Sequence, residues 1–96
     1  MLMATSLAAA GDVVAGRQKA IQCQACHGMD GLSKLPSIPH LAGQHETYLI
    51  KALQDYRSGA RKNEMMSIAA LSLTDTDISD LAAYYHSIEI IVKPPE

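Results

Sequence analysis

The stretch "CQACHGMDG", Cys23 to Gly31, decides how the rest of this chain is read. It holds both cysteines of a 96-residue protein, two residues apart, and His27 directly follows the second. Four readings compete. A disulfide between Cys23 and Cys26 would close a tiny loop and stabilise little. A thioredoxin-like redox pair belongs beside a βαβ pattern, and no period-two strand pattern is present. A structural zinc site wants a second ligand pair at similar spacing. His40 and His45 are on offer, but they stand five apart in an expected loop with Gly43 between them. The fourth reading is c-type haem attachment, for which CxxCH is the sequence signal.

The spacing has a physical sense for haem. Cysteines at i and i+3 on a helical turn face the same way and can add to two vinyl groups on one porphyrin edge. His27 then lies under the ring with an imidazole nitrogen free for iron. Composition agrees. The chain is 48% hydrophobic, yet it has no Phe, no Trp and four Tyr. A domain this small buries only about 60 to 70% of its unfolded surface, and large aromatic side chains usually fill such a core. A covalently held macrocycle would take their place. The zinc, disulfide and redox-pair readings stay as rivals at this point.

Outward from the motif the pattern is helical throughout. Asp12 is a good N-cap for a first helix reaching to about Cys23 or beyond. Gly28, Gly31, Pro36 and Pro39 punctuate the loop that follows. In "HETYLIKALQDYRSG" the residues Tyr48, Leu49, Ala52, Leu53 and Tyr56 share one face, and Gly59 stands where a C-terminal cap belongs. A shorter helix is expected over Glu64 to Ala70. The last opens at Thr74, with Asp77 as its capping-box partner, and Ile78, Leu81, Ala82, Tyr85 and Ile88 form its apolar stripe. The expected fold class is all-α, about four helices in one domain over residues 11–96.

The formal charge is −2, which speaks against nucleic acid as a partner. No apolar run reaches the roughly 18 residues of a membrane span. Residues 1–10, "MLMATSLAAA", are uncharged and rich in small side chains. They read as an export-signal remnant or an N-terminal extension, with a mature start near Gly11 or Asp12.

"AGRQKAIQCQACHGMDG", "PSIPHLAGQHETYLIKALQDYRSGARKNEMM" and "LSLTDTDISDLAAYYHSI" together resemble a class I c-type cytochrome. The likeness is to the small bacterial monohaem type and to single halves of the tandem dihaem type, and it covers about Gly11 to Ile88. It implies thioether links at Cys23 and Cys26 and a proximal iron ligand at His27. It implies that the Pro39 carbonyl holds the other nitrogen of that ring, a bond that orients the ligand. Gly16 and Tyr84 match a close crossing of the first and last helices. Met66, seven residues before Leu73, matches the distal ligand, with Met65 as the rival. Gln44, Tyr48 and Arg61 resemble positions near the propionates. His40, His45 and His86 get plain structural readings.

Haem ligated by His and Met leaves no open iron position, so the expected role is a soluble periplasmic single-electron carrier. It would be no enzyme, a monomer, and would meet redox partner proteins briefly at an exposed haem edge. The rivals are a gas- or peroxide-reactive haem protein with a displaceable Met66, and a subunit of a larger respiratory complex.

Overall fold

The computed structural model describes residues 11–96; the segment read as an export remnant lies outside the described residues. Helix α1 is Val13–Lys19, a 3-10 turn follows at Ala20–Cys23, and α2 is Gln24–His27. After a loop come α3, Glu46–Ser58, α4, Glu64–Leu71, and α5, Asp75–Ser87. Residues 13–27 make one helical run, so four helical segments stand around one core, and there is no strand among the described residues. The expected uninterrupted first helix is corrected in one respect. It tightens to 3-10 pitch just before the cysteines, where Ala20 has no exposed surface and Gln24 N–H bonds back three residues to Ile21.

Local signals set the ends. The Asp12 carboxylate accepts hydrogen bonds from Val14 N at 2.9 Å and Ala15 N at 3.1 Å, capping α1. Thr74 and Asp77 form a reciprocal capping box on α5. Gly59 closes α3 in a left-handed conformation at φ 89°. Asn63 caps α4, its Oδ1 accepting from the N–H groups of both Met65 and Met66 at 3.0 Å.

The core is small. Its buried apolar members are Ala20, Leu49, Ala70, Leu73, Ile78, Leu81, Ala82, Ala83 and Tyr85. Four of the five residues of the stripe expected on α5 are among them, and the fifth, Ile88, is partly buried against the cluster. Helix α1 crosses α5 at Gly16, where an added Cβ would sit 1.9 Å from the Asp80 carbonyl oxygen and 2.8 Å from Tyr84 Cβ. The approach is therefore to the α5 backbone first and to the Tyr84 side chain second. The Arg57 guanidinium reaches across to the Leu73 carbonyl at 3.0 Å and the Asp75 carboxylate at 2.6 Å, tying α3 to the start of α5.

A charged clamp holds α1 on α5. Asp80, buried, accepts from Asp12 N at 2.8 Å and from Lys19 Nζ at 2.6 Å, and Lys19 also pairs with Asp77 at 3.0 Å. Burial pushes the Asp80 carboxyl up, but the Lys19 ammonium and the Asp12 N–H outweigh it and leave it below its ordinary value of 3.8. The Thr74 N–H and Lys19 lower Asp77 likewise, while Asp80 and Asp77 raise Lys19 above 10.5. The carboxylates thus add stability above pH 3.8 that is lost as pH falls through their depressed values. The Lys19 contribution is complete below pH 10.5 and is lost as pH rises through its raised value. Asp80→Asn is expected to lower stability at pH 7 by about 2 kcal/mol, the usual worth of a hydrogen bond to a charged group. The gap to the parent narrows as both are taken below pH 3.8. Thermal melts across an acid series measure it, and a gap that stays constant with pH would refute the clamp.

Candidate functional site

The site grows from the turn that ends the first helical run. His27 is the last residue of α2 and is buried. Its Nδ1–H donates to the Pro39 carbonyl at 2.9 Å. A carbonyl can only accept, so the bond fixes the tautomer and leaves Nε2 as a bare lone pair. Among the described residues nothing donates to that nitrogen. Gly28, at φ 79°, turns the chain sharply away, and its N–H bonds to Gln24 O at 2.9 Å.

Cys23 and Cys26 are both free and half-buried, one turn apart on the same run. Cys23 packs against the core cluster. Burial first, then Cys26, pushes the Cys23 thiol above its ordinary range. No disulfide joins them. Among the described residues no group of three or more His, Cys, Asp or Glu side chains converges on a metal position, so the zinc reading with His40 and His45 finds no site there. His40 Nδ1 instead accepts from Ser33 N at 2.8 Å, within the loop. His45 holds the N-cap position of α3 but makes no side-chain cap bond, and His86 Nδ1 donates to Gln44 O at 2.8 Å.

Met65 and Met66 open α4. Asn63 binds both of their N–H groups, so the first turn, and with it the direction of each thioether, is set by that cap. Met65 is 65% exposed, whereas Met66 is half-buried. Successive helical residues differ by about 100° around the axis, which accounts for the difference. Asn63 was not singled out from sequence, although a cap residue directly before an apolar run is a readable signal.

The three residues matched to propionate positions fare differently. Tyr48 does not lie in the core as its helical face suggested; it is 50% exposed. It sits in the first turn of α3, and its hydroxyl lies 3.2 Å from Arg61 Nη1. Arg61 also stacks over the Tyr56 ring at 4.7 Å. Tyr48 and Arg61 are therefore brought together, on the surface. Gln44 makes no hydrogen bond to either of them; its Oε1 accepts from His45 N at 2.9 Å.

The residues present fit a c-type haem. A bare imidazole nitrogen on a buried ring stands beside two unpaired thiols. Among the described residues the large buried apolar side chains are only Leu49, Leu73, Ile78, Leu81 and Tyr85, so the chain's own atoms build little interior. Met65, Ile68 and Leu71 of α4 and Leu32 and Leu35 of the loop are left exposed. Large apolar side chains at this density on a small domain are ordinarily covered by something.

Comparison with known proteins agrees. The family model for cytochrome c matches residues 13–89. Cytochrome c4 of Pseudomonas aeruginosa is 47% identical over 84 residues, covering 88% of this chain and 42% of that protein. Cytochrome c-554(548) of Halomonas halodenitrificans is 47% identical over 83 residues, covering 83% of this chain and 100% of that one. The crystal structure of reduced recombinant cytochrome c4 from Pseudomonas stutzeri superposes with a TM-score of 0.78 at 44% identity, over 83% of this chain and 47% of that one. The chain thus spans about half, or less, of the length of the cytochromes c4 it matches. On the match, the helical fold and the cysteine pair with its histidine, the chain belongs to the cytochrome c family of electron-transfer proteins, which carry haem c covalently.

Proposed function

We propose that this chain is a periplasmic single-electron carrier, with residues 11–96 as one monohaem unit. The observation that carries the reading is the His27 ring, held by Pro39 through Nδ1 and leaving Nε2 bare beside two free thiols. Bound haem iron supplies a one-electron couple between its ferrous and ferric states. The thiols of Cys23 and Cys26 hold the ring as thioethers. His27 Nε2 would be the proximal donor to the iron, its ring oriented and its basicity raised by the Pro39 carbonyl. Met66 would supply the distal sulfur, a neutral soft donor that favours reduced iron. Arg61, steadied by Tyr48 and Tyr56, together with Gln44, serves the propionate carboxylates.

With His27 and Met66 both bound, the iron would have no open position, small molecules would be kept from it, and the ring edge would be the place for electron exchange. Redox partner proteins then meet that edge through a small interface. Among the described residues no helix is long and apolar enough to cross a membrane. The export reading draws its support from c-type attachment and from the composition of residues 1–10.

The test is a pair of variants in the holoprotein. Met66→Ala is expected to abolish the sulfur-to-iron charge-transfer band at the red end of the oxidised spectrum and to admit carbon monoxide. It should also lower the potential by a sizeable part of the roughly 0.8 V that axial ligands span. Met65→Ala should leave all three unchanged. If the band survives Met66→Ala and is lost in Met65→Ala, the ligand is Met65. If the unmutated protein itself binds carbon monoxide, the carrier reading gives way to a gas-reactive one.

A further inference from the structure

Among the described residues, buried side-chain nitrogen and oxygen atoms are hydrogen-bonded with one exception, the hydroxyl of Tyr85. Tyr85 is 3% exposed and belongs to the core cluster. Its neighbour Tyr84 meets it edge-on, with ring centroids 5.1 Å apart, but donates its own hydroxyl to the Met29 carbonyl at 2.6 Å. A buried hydroxyl without a partner costs about 1–3 kcal/mol. Phenylalanine would fill the same space without that cost. The hydroxyl therefore calls for an acceptor that the chain does not itself supply.

Position and chemistry narrow the acceptor. Cys23 packs on the same cluster as Tyr85. Burial first, then Cys23 and Tyr84, hold the Tyr85 phenol far above its ordinary value, so it stays protonated and is available as a donor. Haem c offers two kinds of acceptor that iron does not occupy: the propionate carboxylates and the two thioether sulfurs. The sulfur is the one that belongs with Cys23. A thioether sulfur is a weak acceptor, and a weak partner in a dry core still outweighs none.

We propose that Tyr85 is a positioning residue whose hydroxyl donates a hydrogen bond to the Cys23 sulfur once that sulfur carries the ring. The inference rests on the attachment at Cys23 argued above. No hydrogen bond joins the two side chains in the chain alone, so the contact depends on where the ring fixes the sulfur. The bond anchors one edge of the ring to α5. By drawing electron density from the sulfur it also favours reduced iron, since hydrogen bonds around a haem are among the levers on its potential.

The test compares holoproteins. Peptide mapping first establishes whether haem is bonded to Cys23. A free Cys23 overturns both the attachment and this proposal. With the thioether mapped, Tyr85→Phe is expected to lower the reduction potential and the melting temperature while keeping the His/Met spectrum. In a Cys23→Ala background, with haem held through Cys26 alone, both effects should vanish. A Tyr85→Phe protein as stable as the parent or more so, with unmoved potential, overturns the proposal and leaves the attachment standing. Effects of equal size in the Cys23→Ala background overturn it in favour of a carboxylate acceptor. Should that background fail to mature, a crystal structure of the holoprotein decides, and an Oη to Sγ separation well beyond roughly 4 Å overturns it.

Discussion

A chain in which Cys23 and Cys26 are both alanine is expected to retain no haem after denaturing electrophoresis and to show little helical circular dichroism at 25 °C. The reason is the size of the core. Of the nine buried apolar side chains among the described residues, four are alanine (Ala20, Ala70, Ala82 and Ala83). A macrocycle burying roughly 400 Å² of apolar surface contributes about 10 kcal/mol at 25 cal/mol per Å². That equals the whole stability of an ordinary domain, about 5–15 kcal/mol. Single replacements should be milder, because one thioether still tethers the ring. A double variant that melts cooperatively, with the parent's helix content, would show that the chain folds on its own side chains.

Gly16→Ala should cost more than about 3 kcal/mol, above the usual 1–3 kcal/mol for overpacking. In a domain of this size that is a fall of roughly 12 °C or more in melting temperature. Intrinsic propensity predicts the opposite sign, since alanine in a helix is better than glycine by about 1 kcal/mol. The geometry decides. The new Cβ would lie 1.9 Å from the Asp80 carbonyl oxygen and 2.7 Å from the Asp80 carbonyl carbon. Both are backbone atoms of α5 and cannot rotate aside. Helix α1 must move off, and the bonds from Asp12 N and Lys19 Nζ to Asp80 go with it. Gly59→Ala is the control. Gly59 has open space around it and a φ of 89°, so it should lose only the conformational term of about 1 kcal/mol. Following the haem band through thermal unfolding compares the two. A Gly16→Ala protein at least as stable as the parent would mean that the helices part easily.

Much of the frame is legible in the sequence because it is written locally. Asp12, Gly59 and the Thr74–Asp77 pair act within one turn of where they stand, and the α5 stripe repeats at helical spacing. CxxCH is equally local, and the helical pattern and the lack of Phe and Trp, both legible in the sequence, raise the haem reading above its rivals. What escapes is set by placement. The Lys19–Asp80 bond spans 61 residues and the Arg57–Asp75 bond 18, and nothing in either neighbourhood names its partner. Tyr48 misleads for the same reason. Its period puts it with Leu49 and Leu53, but Arg61 holds it at the surface. The 3-10 turn at Ala20–Cys23 has no marker residue; it answers to the packing of Ala20. Pro39 is visible only through resemblance, because its part is played by a carbonyl that every residue possesses.

The hydrogen bond from Asp12 N to Asp80 joins positions 68 residues apart. A contact of such high sequence separation carries a large loop-closure entropy, and local turns form long before it is offset. The 13–27 segment, cysteines and histidine included, is therefore open while α5 is still free. In that open stage Cys23 is not yet covered by the cluster that raises its thiol, so its thiolate is more available than in the closed fold. Topology therefore favours one order: covalent chemistry at Cys23 and Cys26 is easier in the unclosed chain, and the meeting of α1 with α5 would act as a latch over Cys23 afterwards.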